Sequence, residues 1–203
     1  MGWFYMNNEG LLLIISGPTG AGKDKIIEAF LNEHKDWYMP VSYTTRDIKE
    51  GEEEGIDFHY VTNQDFFKKV EQGIFLEWGE VYGEYYGTPK HALLKRIKEG
   101  KNAIVEVDPR GALKIKESYK DAILIFILPN SIEDMKKNIL ESRKDTPENL
   151  LRKFNSAYKG IQEICKYNYG VMNTSVEEAL LQIDNIIKAE ECRVQRVMNT
   201  IDL

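Results

Sequence analysis

The stretch LLLIISGPTGAGKDKI, residues 11–26, constrains this chain more than any other. An apolar run over 11–16 enters a glycine-rich turn, Gly17-Pro18-Thr19-Gly20-Ala21-Gly22, closed by Lys23. Continuous hydrophobicity of strand length reads as a strand buried on both faces, the condition of a parallel sheet covered by helices. The turn fits G-x-x-x-x-G-K between a strand and a helix start, the context of a phosphate-binding loop. Glycines let backbone N–H groups close around phosphate oxygens. The helix N-terminus adds partial positive charge, and a lysine here reaches the β and γ phosphates. The next residue is normally Ser or Thr, whose hydroxyl sits on Mg²⁺. Here it is Asp24, a hard oxygen donor suited to that metal and also a favourable charge at a helix start.

The rest of the chain keeps the strand–helix rhythm. NAIVEV (102–107), AILIFIL (122–128) and YGVMN (169–173) read as further strands. Helices are expected at 22–33, 89–98, 109–118, 131–142, 148–167 and 175–196. Two starts carry explicit signals: Ser131 with Asp134 three residues on, and Thr146-Pro147-Glu148. This alternation argues an α/β fold with a parallel sheet core flanked by helices. Residues 42–88 break the rhythm with short β-like pieces and many aromatics. They read as an inserted, mostly β subdomain with one short helix near 64–72.

The 27 basic and 33 acidic residues leave a net charge of -6, which argues against a nucleic-acid-coating role. No apolar run approaches the ~20 residues of a membrane span. The leading MGWFYMNNEG lacks the basic and apolar regions of a signal peptide. Two cysteines, Cys165 and Cys192, form no metal or disulfide pattern, so a cytoplasmic location is expected. His34, His59 and His91 are scattered and read as structural or surface residues.

Downstream of the loop come VSYTTRDIKEGEEEGIDFHYV (41–61), FLEWGEVYGEYYGT (75–88) and IVEVDPRGA (104–112), in that order. In that succession the chain resembles the guanylate kinases. That family carries V-S-x-T-T-R, a G-E and a D-Y stretch, F-x-E-W, a G-x-Y-Y-G-[ST] turn and an acidic-x-Asp-x-x-G strand end. The likeness covers nearly the whole chain, from about residue 11 to residue 190.

The resemblance implies a nucleoside monophosphate kinase that moves a phosphoryl group from ATP to GMP or dGMP with Mg²⁺. Its partners would be those small nucleotides, with no nucleic acid and no membrane. It implies one domain with a core at 11–41, 89–137 and 153–196, a GMP-binding insertion at 42–88 and a helical lid at 138–152. Gly17, Pro18, Thr19, Gly20, Ala21, Gly22, Lys23 and Asp24 would bind ATP, with Asp24 the candidate metal ligand. Guanine presents N1–H beside a 2-amino group, and one carboxylate accepts both; by analogy this is Glu77, assisted by Asp108, with Glu106 alongside. Adenine lacks both donors and would leave those carboxylates unpaired, the strong form of discrimination. Ser42 and Thr88 match hydroxyls on the O6 side of the base. Arg46 and Tyr86 match positions that hold the acceptor phosphate, where arginine is well shaped. Glu52 matches an acidic position near the nucleotide, while the run Glu50 to Glu54 taken alone reads as a solvated loop. Trp78 reads as a packing residue of the insertion.

Several positions depart from the family. A second phosphate-binding arginine is Lys49 here, which keeps charge but loses the bidentate fork. The tyrosine of the D-Y pair is Phe58. In KKNILESRKDTPENLLRKF (136–154) the first lid arginine falls on Lys137 or Asn138, the next on Arg143, and the last pair is Arg152-Lys153. With Lys23, the cations Arg143, Arg152 and Lys153 are the expected catalytic group. Phosphoryl transfer depends on positioning and charge neutralisation, and no protein nucleophile is needed. Two other readings stay open at this point: a kinase of the same class with another acceptor, prompted by Lys49, Phe58 and the lid; and a guanylate-kinase-like binding module without catalysis, prompted by Asp24.

Overall fold

The computed structural model describes residues 9–140 and 146–197. Along the chain run β1 (Leu12–Ser16), α1 (Lys23–Glu33), β2 (Tyr43–Thr44), β3 (His59–Tyr60), α2 (Asn63–Glu71), β4 (Phe75–Val81) and β5 (Glu84–Pro89). Then follow α3 (His91–Lys98), β6 (Ala103–Glu106), α4 (Pro109–Ser118), β7 (Ile123–Pro129), α5 (Ile132–Leu140) and α6 (Pro147–Gln162). A 3₁₀ turn (Ile164–Lys166), β8 (Tyr169–Asn173), α7 (Val176–Glu191) and α8 (Val194–Val197) complete it. Among the described residues no helix is long and apolar enough to cross a membrane.

One sheet has the order β6-β1-β7-β8, and every pairing in it is parallel. Alternate residues of β1 serve opposite faces. Leu13 and Ile15 join Ile104, Ile125 and Ile127 against Ile26 and Phe30 of α1 and Ile183 of α7. Leu12 and Ile14 join Val105 and Leu124 against Leu93 and Ile97 of α3 and Ile115 of α4. Both faces are therefore covered, which is why these strands are apolar throughout. An additional parallel bridge, Tyr38 to Ala103, extends the β6 edge where sequence showed only a loop.

The second sheet, β3-β2-β5-β4, is built from the insertion and is antiparallel except between β2 and β3. Phe66 of α2 is fully buried against it. Its ring stacks on Phe75 at 4.8 Å and meets Trp78 edge-on at 6.3 Å, so Trp78 packs the insertion as expected. β4 and β5 join through Tyr82-Gly83, both with positive φ (57° and 95°), the backbone of a tight primed hairpin. Tyr82 alone among the described non-glycine residues has that conformation.

Helix boundaries follow local chemistry. Ser131 accepts from the Asp134 N–H at 2.9 Å, and Thr146 from the Asn149 N–H at 3.3 Å with Pro147 opening the helix. The helix expected over 148–167 stops at Gln162. Asn168 has to enter the sheet edge, where its backbone N–H donates to Leu124 O and its side chain accepts from Leu124 N. The helix expected over 175–196 ends at Glu191, and α8 is a separate short turn. The helix expected to begin at 89 begins at His91, because Pro89 still pairs with Phe75.

Candidate active site

Because the first sheet is parallel, its strands end at one edge, and ligands of such sheets bind beyond the carboxyl ends. β1 delivers the glycine-rich loop there. The N-terminus of α1 has no side-chain cap, so its first N–H groups are open to an anion. Two carbonyls of the loop are held by side-chain amides. Gly20 O accepts from Asn138 Nδ2 of α5 at 2.8 Å, and Ala21 O from Asn173 Nδ2 of β8 at 2.7 Å. Gly22 has φ 76°, and a Cβ there would lie 2.7 Å from that Asn173 nitrogen, so a side chain would displace the amide. Lys23 Nζ lies 3.3 Å from Pro18 O and 3.6 Å from Glu106 Oε1 at the end of β6.

The loop faces the second sheet across a cavity of about 800 Å³. Gly17, Pro18, Thr19 and Lys23 form one wall, and Ser42, Phe58, Glu77, Tyr86 and Thr88 the opposite one. Glu106 and Asp108 line it as well. Thr19 Oγ1 and Tyr82 OH are 2.9 Å apart, so the hairpin tip touches the phosphate loop directly.

Glu77 is the most perturbed carboxyl of the cavity. Its pKa rises from 4.5 to about 7, chiefly through burial and then through the neighbouring charge of Asp108. Thr88 Oγ1 donates to it at 3.3 Å, a long bond. Gly111 makes room for it: a Cβ there would come within 2.8 Å of Glu77 Oε2. Asp108 caps α4 by accepting from Gly111 N at 2.7 Å, and this cap fixes one carboxylate beside the other.

Arg46 stands behind the wall, with its guanidinium 4.9 Å from the Phe58 ring and against Tyr86, whose pKa burial raises. Glu52 grips Arg46 with two bonds of 2.7 Å and also accepts from Lys49 N at 2.9 Å and Tyr60 OH at 2.7 Å. The Arg46 hydrogen bond is the main reason the Glu52 carboxyl is held down to about 2. Glu52 thus belongs to an ordered ion pair, although its acidic run alone suggested solvent. The Lys49 side chain is exposed and lies outside the cavity wall.

The cations expected for a lid are brought together only in part among the described residues. Arg152 lines the cavity and bonds Glu148 at 2.9 Å, whereas Lys153 is not on the wall. Arg143 lies outside the described residues. Asn138, one of two positions matched to the first lid arginine, instead holds the phosphate loop. Lys159 and Arg110 line the cavity as well, unforeseen from sequence. Lys159 follows Arg152 at helical spacing, a periodicity that was readable. Arg110 bonds its sequence neighbour Asp108 at Oδ2 at 3.2 Å and also Glu80 O at 2.8 Å, which only the fold brings near.

Asp24 is exposed in the first turn of α1, and its side chain makes no ion pair among the described residues. An unpaired carboxylate beside a phosphate loop is a donor fit for a hard divalent cation. The histidines serve structure: His34 bonds Asp184 at 2.9 Å and stacks on Phe30, and His59 bonds Glu54 at 3.0 Å. Glu33, His34 and Asp184 sit close enough to share a metal, but at the opposite end of α1 from the loop.

Comparison with known proteins places this arrangement. The guanylate kinase family model matches residues 9–190. A protein of Clostridium perfringens (strain SM101 / Type A) named guanylate kinase is 46% identical over 201 residues, covering 99% of this chain and 93% of that one. A guanylate kinase of Clostridium acetobutylicum is 46% identical over 196 residues, with 97% and 93% covered. The crystal structure of guanylate kinase from Anaplasma phagocytophilum superposes with a TM-score of 0.76 at 28% identity, covering 93% of this chain and 89% of that one.

The perturbed carboxyl has a consequence for stability. Glu77 binds its proton more tightly in the folded chain, so its contribution to stability is full at low pH and is lost as pH rises through about 7. A rise from 4.5 to about 7 corresponds to roughly 3 kcal/mol. Denaturant titrations should therefore find Glu77→Gln more stable than the parent at pH 8.5 by up to about that amount, with little difference at pH 4.5. Equal differences at both values would place Glu77 in an ordinary aqueous setting.

Proposed function

The chain belongs to the guanylate kinase family and phosphorylates GMP at the expense of ATP, and we propose how its cavity divides that task. The observation that carries the assignment of roles is the buried Glu77 beside Asp108, across one cavity from the loop that holds Lys23. Glu77 accepts the N1–H and 2-amino donors of guanine, with Asp108 at its side and Ser42 and Thr88 toward O6. Binding then adds two donors to a buried carboxylate that holds one long hydrogen bond. A base that lacks those donors leaves it unpaired. Arg46 and Tyr86 hold the acceptor phosphate. Glu106 orients Lys23 rather than touching the base, a reading supported by their 3.6 Å separation.

The acceptor oxygen is already ionised, so no residue has to remove a proton from it. Lys23 and the α1 N-terminus stabilise charge on the donor phosphates, and Arg152 with Lys159 extends the positive wall. Arg143 and Lys153 complete the lid group in this proposal. The core, the insertion at 42–88 and the lid at 138–152 are its three working parts. The Thr19–Tyr82 contact spans the gap between the first two and helps keep water from the reacting phosphates. Asp24 would hold magnesium, which supplies neutralising charge on the ATP phosphates when bound. A cytoplasmic setting and the exclusion of nucleic acid belong to the same proposal, supported by two exposed free cysteines and a net charge of -6.

Three measurements check these assignments. In a coupled assay with ATP and each of GMP, AMP, CMP and UMP, turnover should be confined to GMP; preference for another base would remove the role of Glu77. Lys23→Ala should lower kcat roughly 100-fold or more while GMP binding stays near the parent value, as for loss of a transition-state cation. Calorimetry should show Asp24→Ser binding ATP better than the parent in chelator and about equally with Mg²⁺. A parent that binds ATP equally well in both conditions has no metal at Asp24, and one that binds in neither has a defunct loop.

A further inference from the structure

Arg46 and Glu52 both lie on the irregular segment between β2 and β3, where Gly51 and Gly55 take positive φ. A loop of that kind does not by itself hold a guanidinium in one orientation. Tyr60 differs, because it sits on β3 and pairs with Thr44 of β2. Its hydroxyl donates to Glu52 Oε2 at 2.7 Å, on the oxygen that also receives Arg46 Nη1 and Lys49 N. Its ring lies 5.6 Å from the Arg46 guanidinium carbon, with the Phe58 ring at 4.9 Å. Three hydrogen bonds leave Arg46 through Nη1 and Nη2, to Glu52 and Asp47 O. That leaves part of the five-donor fork for another acceptor.

Phe58 and Tyr60 are two residues apart, so they share one face of an extended chain. Phe58 lines the cavity and has no hydroxyl; Tyr60 has the hydroxyl and lies behind Arg46. We propose that Tyr60 is a positioning residue for the acceptor phosphate: it anchors Glu52 to the second sheet, and Glu52 in turn aims the Arg46 guanidinium. The inference rests on the reading of this cavity as the GMP site. The chain grips phosphate through a sheet-anchored arginine in place of a direct tyrosine contact at residue 58.

The test compares the parent, Tyr60→Phe and the exchange variant Phe58→Tyr/Tyr60→Phe, each with GMP as substrate and with guanosine as a competitive inhibitor. Guanosine carries the base without the phosphate. Tyr60→Phe should raise KM for GMP roughly five- to tenfold, as for one charge-assisted hydrogen bond acting at one remove. Its kcat, its KM for ATP and the guanosine inhibition constant should stay within about twofold, since uniform binding alone is lost. The exchange variant should recover part of the KM, because a hydroxyl returns to the cavity wall. An unchanged KM for GMP in Tyr60→Phe would overturn the proposal. So would an equal loss of guanosine affinity, which marks a tyrosine that merely holds the sheet together. A parent that fails to turn over GMP at all would overturn the reading of the cavity, and this inference with it.

Discussion

Hydrogen bonding of β1 on both edges, inside a sheet covered on both faces, is the constraint from which the rest follows. β1 pairs in parallel with β6 and β7 and presents Leu12 to Ile15 without exposure. A parallel arrangement leaves every strand of that sheet ending at the same edge. The phosphate loop, Glu106 with Asp108, and Asn173 therefore arrive together although they are far apart in sequence. The loop is held by Asn138 and Asn173, which bind its Gly20 and Ala21 carbonyls. Without the sheet those two amides would have no fixed relation to the carbonyls they bind.

The second sheet solves a different electrostatic problem. Around Arg46 the charges are mutually satisfied: Glu52 receives four hydrogen bonds, and its carboxyl titrates near 2. Around Glu77 they are not, since Thr88 offers one long bond and Asp108 adds like charge. The first arrangement orders a loop. The second keeps a carboxylate short of donors, and in the proposed reading guanine brings two. In the proposed division of roles, the stability that burial costs at Glu77 would be offset when guanine supplies its donors.

The fold was legible where burial is two-sided and periodic. The strands at 11–16, 102–107, 122–128 and 169–173 and the helix at 109–118 lie where hydrophobic patterning puts them, because one physical demand acts on every residue of each run. Boundaries failed where a neighbouring strand competes with the helix, as at Pro89 and Asn168. At the site, motif spacing pointed to Lys23 and the family resemblance to Glu77, Asp108, Tyr86 and Arg46, and the fold gathers them at or behind one cavity. Glu52 was ambiguous, since an acidic run carries no sign of which member meets an arginine. Arg110, Tyr82 and Tyr60 were invisible, because each acts through a partner that folding brings from another segment: Glu80 O, Thr19 and Glu52.

The sequence by itself determined the parallel core, the phosphate loop at the end of its first strand and the family to which the site chemistry conforms. Those features depend on local patterns: apolar runs, glycines at fixed spacing, and carboxylates and arginines in order. Only the tertiary structure decided which charges are paired. It turned Glu52 inward to Arg46, left Asp24 without an ion-pair partner among the described residues, pushed the Glu77 carboxyl up toward neutrality and set Asn138 against the loop. The reason is physical. The energy of a charge depends on its burial and on partners within a few ångströms, and neither is set until distant segments of the chain have packed.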